Sequence, residues 1–173
     1  VGGGCVYMAR FRATAIPLGD HVSPDGIVHA TPGRVRRWAE RFAEMQTRGI
    51  RIPISWGHSP HALPEAESGG VDLDEAEFQR RLAAHNAGYC TRMSVCPDTG
   101  ALIFEGEAPG VEIGDDGNLH YWTKLPDGTE VKGSIGEVSC GINTWRDGTG
   151  RVWPDSVIHV ALTPLPVCSP LQT

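Results

Sequence analysis

No stretch of this 173-residue chain approaches the roughly 18 continuous apolar residues that a bilayer-spanning helix needs, so no membrane partner is expected. Positive charge is also scarce. Lys and Arg number 15 against 21 Asp and Glu, a net charge of -6, so the chain-wide basic footprint of a nucleic-acid binder is absent. Paired cysteines are lacking: Cys5, Cys90, Cys96, Cys140 and Cys168 are odd in number, widely spaced, and form no Cys-x-x-Cys. That pattern predicts reduced thiols in a cytosolic compartment rather than a disulfide framework. The start, Val1-Gly2-Gly3-Gly4-Cys5, has neither an initiator Met nor the basic and apolar regions of a signal peptide, which predicts trimming from a larger product. Disorder and coiled coil are excluded as well, because 40% hydrophobic and 21% charged residues is ordinary globular usage.

What is abundant is the turn former, with 22 glycines and 13 prolines. They separate short apolar runs at 5–16, 50–56, 88–95, 101–107, 135–145 and 157–162, which read as strands. Cys96-Pro97-Asp98-Thr99-Gly100 between two of them is a hairpin signature, and residues 19–26, 115–118, 126–128 and 146–150 carry further turns. One helix is clear. Thr31 caps it, Pro32 stands at its first position, and Val35, Trp38, Phe42 and Met45 follow at helical spacing with Arg34, Arg37, Arg41 and Arg48 facing out. Gly49 stops it. A weaker helix is expected over 74–85, and a mobile loop over 59–70. Strands alternating with turns predict one α+β domain over 1–173: an antiparallel β-barrel of six to seven strands with helices packed outside.

Several chemistries lack their motifs. Gly2-Gly3-Gly4 leads into a strand, which excludes a phosphate-binding loop, and no His-Glu-x-x-His is present. The Gly-x-Ser-x-Gly elbow is missing, since Ser139 stands three residues after Gly136. His58 and His61 with Cys90 and Cys96 offer soft ligands, but zinc sites usually pair their ligands on short loops, and these cysteines have five residues between them. No cofactor or metal is therefore expected.

The last third is more telling. Ser139 falls mid-strand in Glu137-Val138-Ser139-Cys140-Gly141-Ile142, and His159 is the polar residue of an apolar strand that runs into Leu162-Thr163-Pro164. His58 ends the earlier strand Ile52-Pro53-Ile54-Ser55-Trp56-Gly57. Taken singly, each is an ordinary structural residue. Together they supply what a serine nucleophile needs, a base and a partner that orients the base.

With these residues the chain resembles the head-maturation (prohead) proteases of tailed bacteriophages, whose fold is like that of the herpesvirus capsid-assembly proteases. Four segments carry the resemblance: the run from Val28 to Trp38, the strand delivering His58, Ala87-Gly88-Tyr89 with its hairpin, and Ser139-Cys140-Gly141-Ile142 followed by His159-Val160-Ala161-Leu162-Thr163-Pro164. The resemblance implies a herpesvirus-protease-like barrel and a serine endopeptidase with a Ser-His-His triad. His58 is then the general base, Ser139 the nucleophile and His159 the third member, with Asp155 or Glu137 as an acidic substitute for it. The implied substrates are phage capsid and scaffold proteins, cleaved inside the prohead in the host cytoplasm, with a homo-dimer or higher oligomer compatible with that role.

In the implied mechanism His58 takes the Ser139 proton during attack on a peptide carbonyl and returns it to the leaving amine, while His159 fixes the tautomer of His58. A neutral histidine brings no opposite charge to the imidazolium, so such an enzyme should be slow. Cys140, one step along the strand, points to the other face. A non-catalytic assembly or scaffold domain on the same fold is the alternative, and a small β-barrel binding module is a third reading.

Overall fold

The computed structural model describes residues 8–23, 26–56, 86–115 and 118–162. The helix expected over 74–85, the loop 59–70 and His58 lie outside these residues.

The six strands legible in the sequence assemble into one sheet. They are β1 (Met8–Ile16), β4 (Pro53–Trp56), β5 (Asn86–Val95), β6 (Leu102–Pro109), β10 (Val138–Arg146) and β11 (Val152–Leu162). Their order in space is β1-β6-β5-β4-β11-β10. The sheet curls so that its two edge strands, β1 and β10, approach each other without pairing, which makes a half-barrel. Five more strands were not foreseen among the turns. β2 (Gly19–Ser23) and β3 (Gly26–Ala30) form a hairpin, and β7 (Val111–Ile113), β8 (Leu119–Lys124) and β9 (Glu130–Ile135) form a three-stranded sheet. They are short, and their exposed positions include Val22, Ile27, Ile113 and Trp122. Their alternation is correspondingly poor, and only their turns show in the sequence.

The antiparallel expectation needs one correction. β4 runs parallel to β11, with Ile54 opposite Val160, Ser55 opposite Ala161 and Trp56 opposite Leu162. Strand direction between segments a hundred residues apart is not written in local pattern. The other pairings of this sheet are antiparallel.

α1 (Pro32–Thr47) forms as its sequence dictates. Thr31 caps it by accepting the Arg34 backbone N–H at 3.2 Å, and Gly49, at φ +77°, takes the left-handed turn that ends it. Val35, Trp38, Phe42 and Met45 are buried in one cluster with Ile54, Leu102, Phe104, Val157 and Val160 of the large sheet and Val111, Leu119 and Ile135 of the small one. Arg37 and Arg48 are exposed, as the helical period requires. Arg34 and Arg41 are not. Both turn onto β11, where Arg34 grips the Asp155 carboxylate and Arg41 donates to the Asp155 carbonyl at 2.6 Å.

Candidate active site

Residues paired across a sheet share a face. Val138, Cys140, Val160, Leu162 and Ile54 point into the core. Ser139, Gly141, His159, Ala161 and Ser55, which alternate with them, share the opposite face. Cys140 is thus behind the strand relative to Ser139, as expected from period two.

Ser139 lies opposite Ala161, which lies opposite Ser55, which lies opposite Asn86. One row therefore crosses β10, β11, β4 and β5. His159 is one step along, paired with Gly141. This makes Ser139 and His159 diagonal neighbours, about 7–8 Å apart between Cα atoms and within reach of a long side chain. Ser55 and Asn86 were not singled out in the sequence. The signal was present at Ser55, a small polar residue between Ile54 and Trp56, but its meaning depends on which strand lies beside it.

His159 reaches this position through a β-bulge. Ile142 pairs with Val157 and Gly141 pairs with His159, so β11 carries one extra residue, Ile158. A bulge reverses the facing of every later side chain. Val157 points to the core before it, and Val160 and Leu162 do so after it. That leaves His159 on the side of Ser139.

β4 ends at Trp56, beside Leu162. The Trp56 ring packs on Tyr121 of β8 with centroids 4.7 Å apart, and Tyr121 in turn covers Gly133 of β9. The small sheet thus braces the end of the strand that leads toward His58. His58 itself, and His61 of the zinc reading, fall outside the described residues.

The acidic substitutes are placed differently from each other. Asp155 sits near the far end of β11, next to Ser156, which pairs with Asn143. Burial pushes its carboxyl up, but the hydrogen bonds from Arg34 and the charges of Arg34 and Arg41 outweigh that and hold it below the ordinary range. It is engaged by α1, away from Ser139. Glu137 immediately precedes β10 and is partly exposed.

Access to Ser139 is narrow, with only 1% of the residue exposed, whereas His159 is half-buried. A cleft of about 630 Å³ opens elsewhere, between the end of α1 and the start of β5, with Gln46, Arg51, Tyr89 and Glu107 in its wall. Neither Ser139 nor His159 lines it. Comparison of the chain with protein-family models, with curated proteins and with solved structures finds no match, so the reading of this site rests on its residues and their arrangement.

Proposed function

We propose that the chain is a serine endopeptidase of the prohead-protease type, with Ser139 as nucleophile, His58 as general base and His159 as third member. It would cleave phage capsid or scaffold proteins during head maturation. The observation that supports this reading is the shared face: Ser139 and His159 are diagonal neighbours on adjacent strands, and the next strand, β4, ends two residues before His58. Attack by the Ser139 hydroxyl on a peptide carbonyl forms the acyl-enzyme and releases the amine, with the proton passing from Ser139 to His58 to the leaving nitrogen. Water then reverses the sequence.

The test is incubation of the purified chain with the capsid and scaffold proteins of its phage, comparing wild type with Ser139→Ala, His58→Ala and His159→Ala. Ser139→Ala and His58→Ala should each remove nearly all cleavage, because nucleophile and base act as one unit. His159→Ala should leave a residue of activity. Cleavage at full rate by Ser139→Ala would end the proposal.

A second reading has its own support. Burial of Ser139 to 1% exposure is what an assembly or scaffold domain tolerates and a protease must relieve. That reading predicts no cleavage by any of the four proteins, together with co-sedimentation of the intact chain with capsid protein.

A further inference from the structure

The group nearest to the space above Gly141 is the His159 imidazole. A Cβ built on this glycine would lie 2.1 Å from His159 Cε1, 2.4 Å from Nδ1 and 2.8 Å from Nε2. The three nearest heavy atoms thus all belong to the imidazole. The ring lies across the β10 backbone where any other residue would place its side chain. Gly141 is not in the left-handed region, so its backbone does not call for glycine. Glycine in a strand interior forfeits packing and marks a close approach of another group. Here the approaching group is His159, brought opposite Gly141 by the bulge at Ile158.

We infer that Gly141 is a positioning residue for His159. Its missing side chain is the seat that lays the imidazole flat on β10, on the face that carries Ser139. The inference rests on the endopeptidase reading for its catalytic meaning, though the seating itself does not. A histidine that orients another side chain must itself be held, since a displacement of about 1 Å can cost about 10²-fold in rate. The Ser139-Cys140-Gly141 spacing follows from this. Nucleophile and seat are two residues apart because they share a face, and the diagonal pairing puts the seated ring next to the nucleophile.

The experiment uses Gly141→Ala, His159→Ala and the double variant. The imidazole Cε1–H resonance of His159 is assigned by its loss in His159→Ala, then followed with pH in wild type and Gly141→Ala. Gly141→Ala should move both the chemical shift and the titration midpoint of that one histidine. Cleavage should fall about 10²-fold in Gly141→Ala, and the double variant should be no slower than His159→Ala. The denaturation midpoint lost in Gly141→Ala should return in the double variant, where the ring no longer occupies the space. An unchanged His159 resonance in Gly141→Ala would overturn the inference, as would stability losses that simply add. Should Gly141→Ala not fold, a folded double variant upholds the seating and an unfolded one refutes it. Absence of cleavage in wild type, with the His159 resonance still displaced in Gly141→Ala, would refute the endopeptidase reading and leave the seating standing.

Discussion

Arg34 donates to both carboxylate oxygens of Asp155, from Nη2 at 2.7 Å and from Nε at 2.9 Å, and so ties the first turn of α1 to β11 across 121 residues of chain. Asp155 has φ +43°, a left-handed conformation that a non-glycine residue adopts at a cost. Asp155 N–H donates to Thr144 Oγ1 at 3.1 Å and Arg41 holds its carbonyl, so the strained residue is fixed on every polar side. Both side chains of the pair are about 30% exposed, so it is worth less than a buried bridge and more than a surface one.

Arg34→Ala should therefore destabilise the protein by about 1–3 kcal/mol, read as a shift of the urea midpoint at neutral pH. The folded-state pKa of Asp155 is depressed. Its contribution is thus complete above the unfolded carboxyl value of about 4 and is lost as pH falls through the folded one. The gap between wild type and Arg34→Ala should close below about pH 4. A gap that stays constant from pH 7 to pH 2 would show that the charge of Asp155 is not what Arg34 stabilises.

Trp38 is wholly buried between the helix and the sheet. Trp38→Ala should cost about 3–5 kcal/mol, the range for emptying a large aromatic site. Calorimetric unfolding of the variant measures it. A loss below about 1 kcal/mol would mean the core collapses into the space.

Two glycines should respond differently to the same substitution. A Cβ on Gly88 would lie 1.9 Å from the Glu107 backbone oxygen, and neither backbone can yield without breaking the pairing of β5 with β6. A Cβ on Gly133 meets the Tyr121 ring at 2.4 Å, and a ring can swing. Gly88→Ala should exceed the usual overpacking cost of about 1–3 kcal/mol, and Gly133→Ala should stay within it. Equal losses in parallel denaturation curves would contradict this.

The thiols should separate by reactivity. Burial pushes Cys90 up to about 12, whereas hydrogen bonds from Thr99 lower Cys96 in its partly exposed turn. The thiolate is the reacting form, so alkylation at neutral pH should label Cys96 in the native protein and reach Cys90 only on unfolding. Peptide mapping after a short iodoacetamide pulse reads both sites. Native labelling of Cys90 ahead of Cys96 would contradict the packing of β5 against the core.

On the proposed endopeptidase reading, cleavage of capsid or scaffold protein should rise with pH through roughly 6–8, because a histidine base must be neutral to accept the Ser139 proton. A rate flat across that range would remove histidine from the base role.

Local pattern determined α1 from cap to stop, the Cys96 to Gly100 hairpin, and the six strands that make the large sheet. In each, the deciding interactions join residues within a few positions of each other: the Thr31 cap, the three- and four-residue spacing of Val35, Trp38, Phe42 and Met45, the alternation along β10. The placement of Ser139 and Cys140 on opposite faces was legible for the same reason, since period two needs no partner. Beyond the Cys96 to Gly100 hairpin, tertiary structure decided which strand lies beside which. The parallel pairing of β4 with β11 puts Ser55 in the Ser139 row, and the bulge at Ile158 turns His159 toward that face. Arg34 and Arg41 read as solvated from helical period, and only the approach of Asp155 gave them a partner. Gly141 is legible as part of the Ser139-Cys140-Gly141-Ile142 segment, but the room it leaves for the His159 imidazole depends on the strand opposite. Side-chain period is a property of a few consecutive residues, whereas register and neighbour are settled by the packing of the whole core, which no short window of sequence contains.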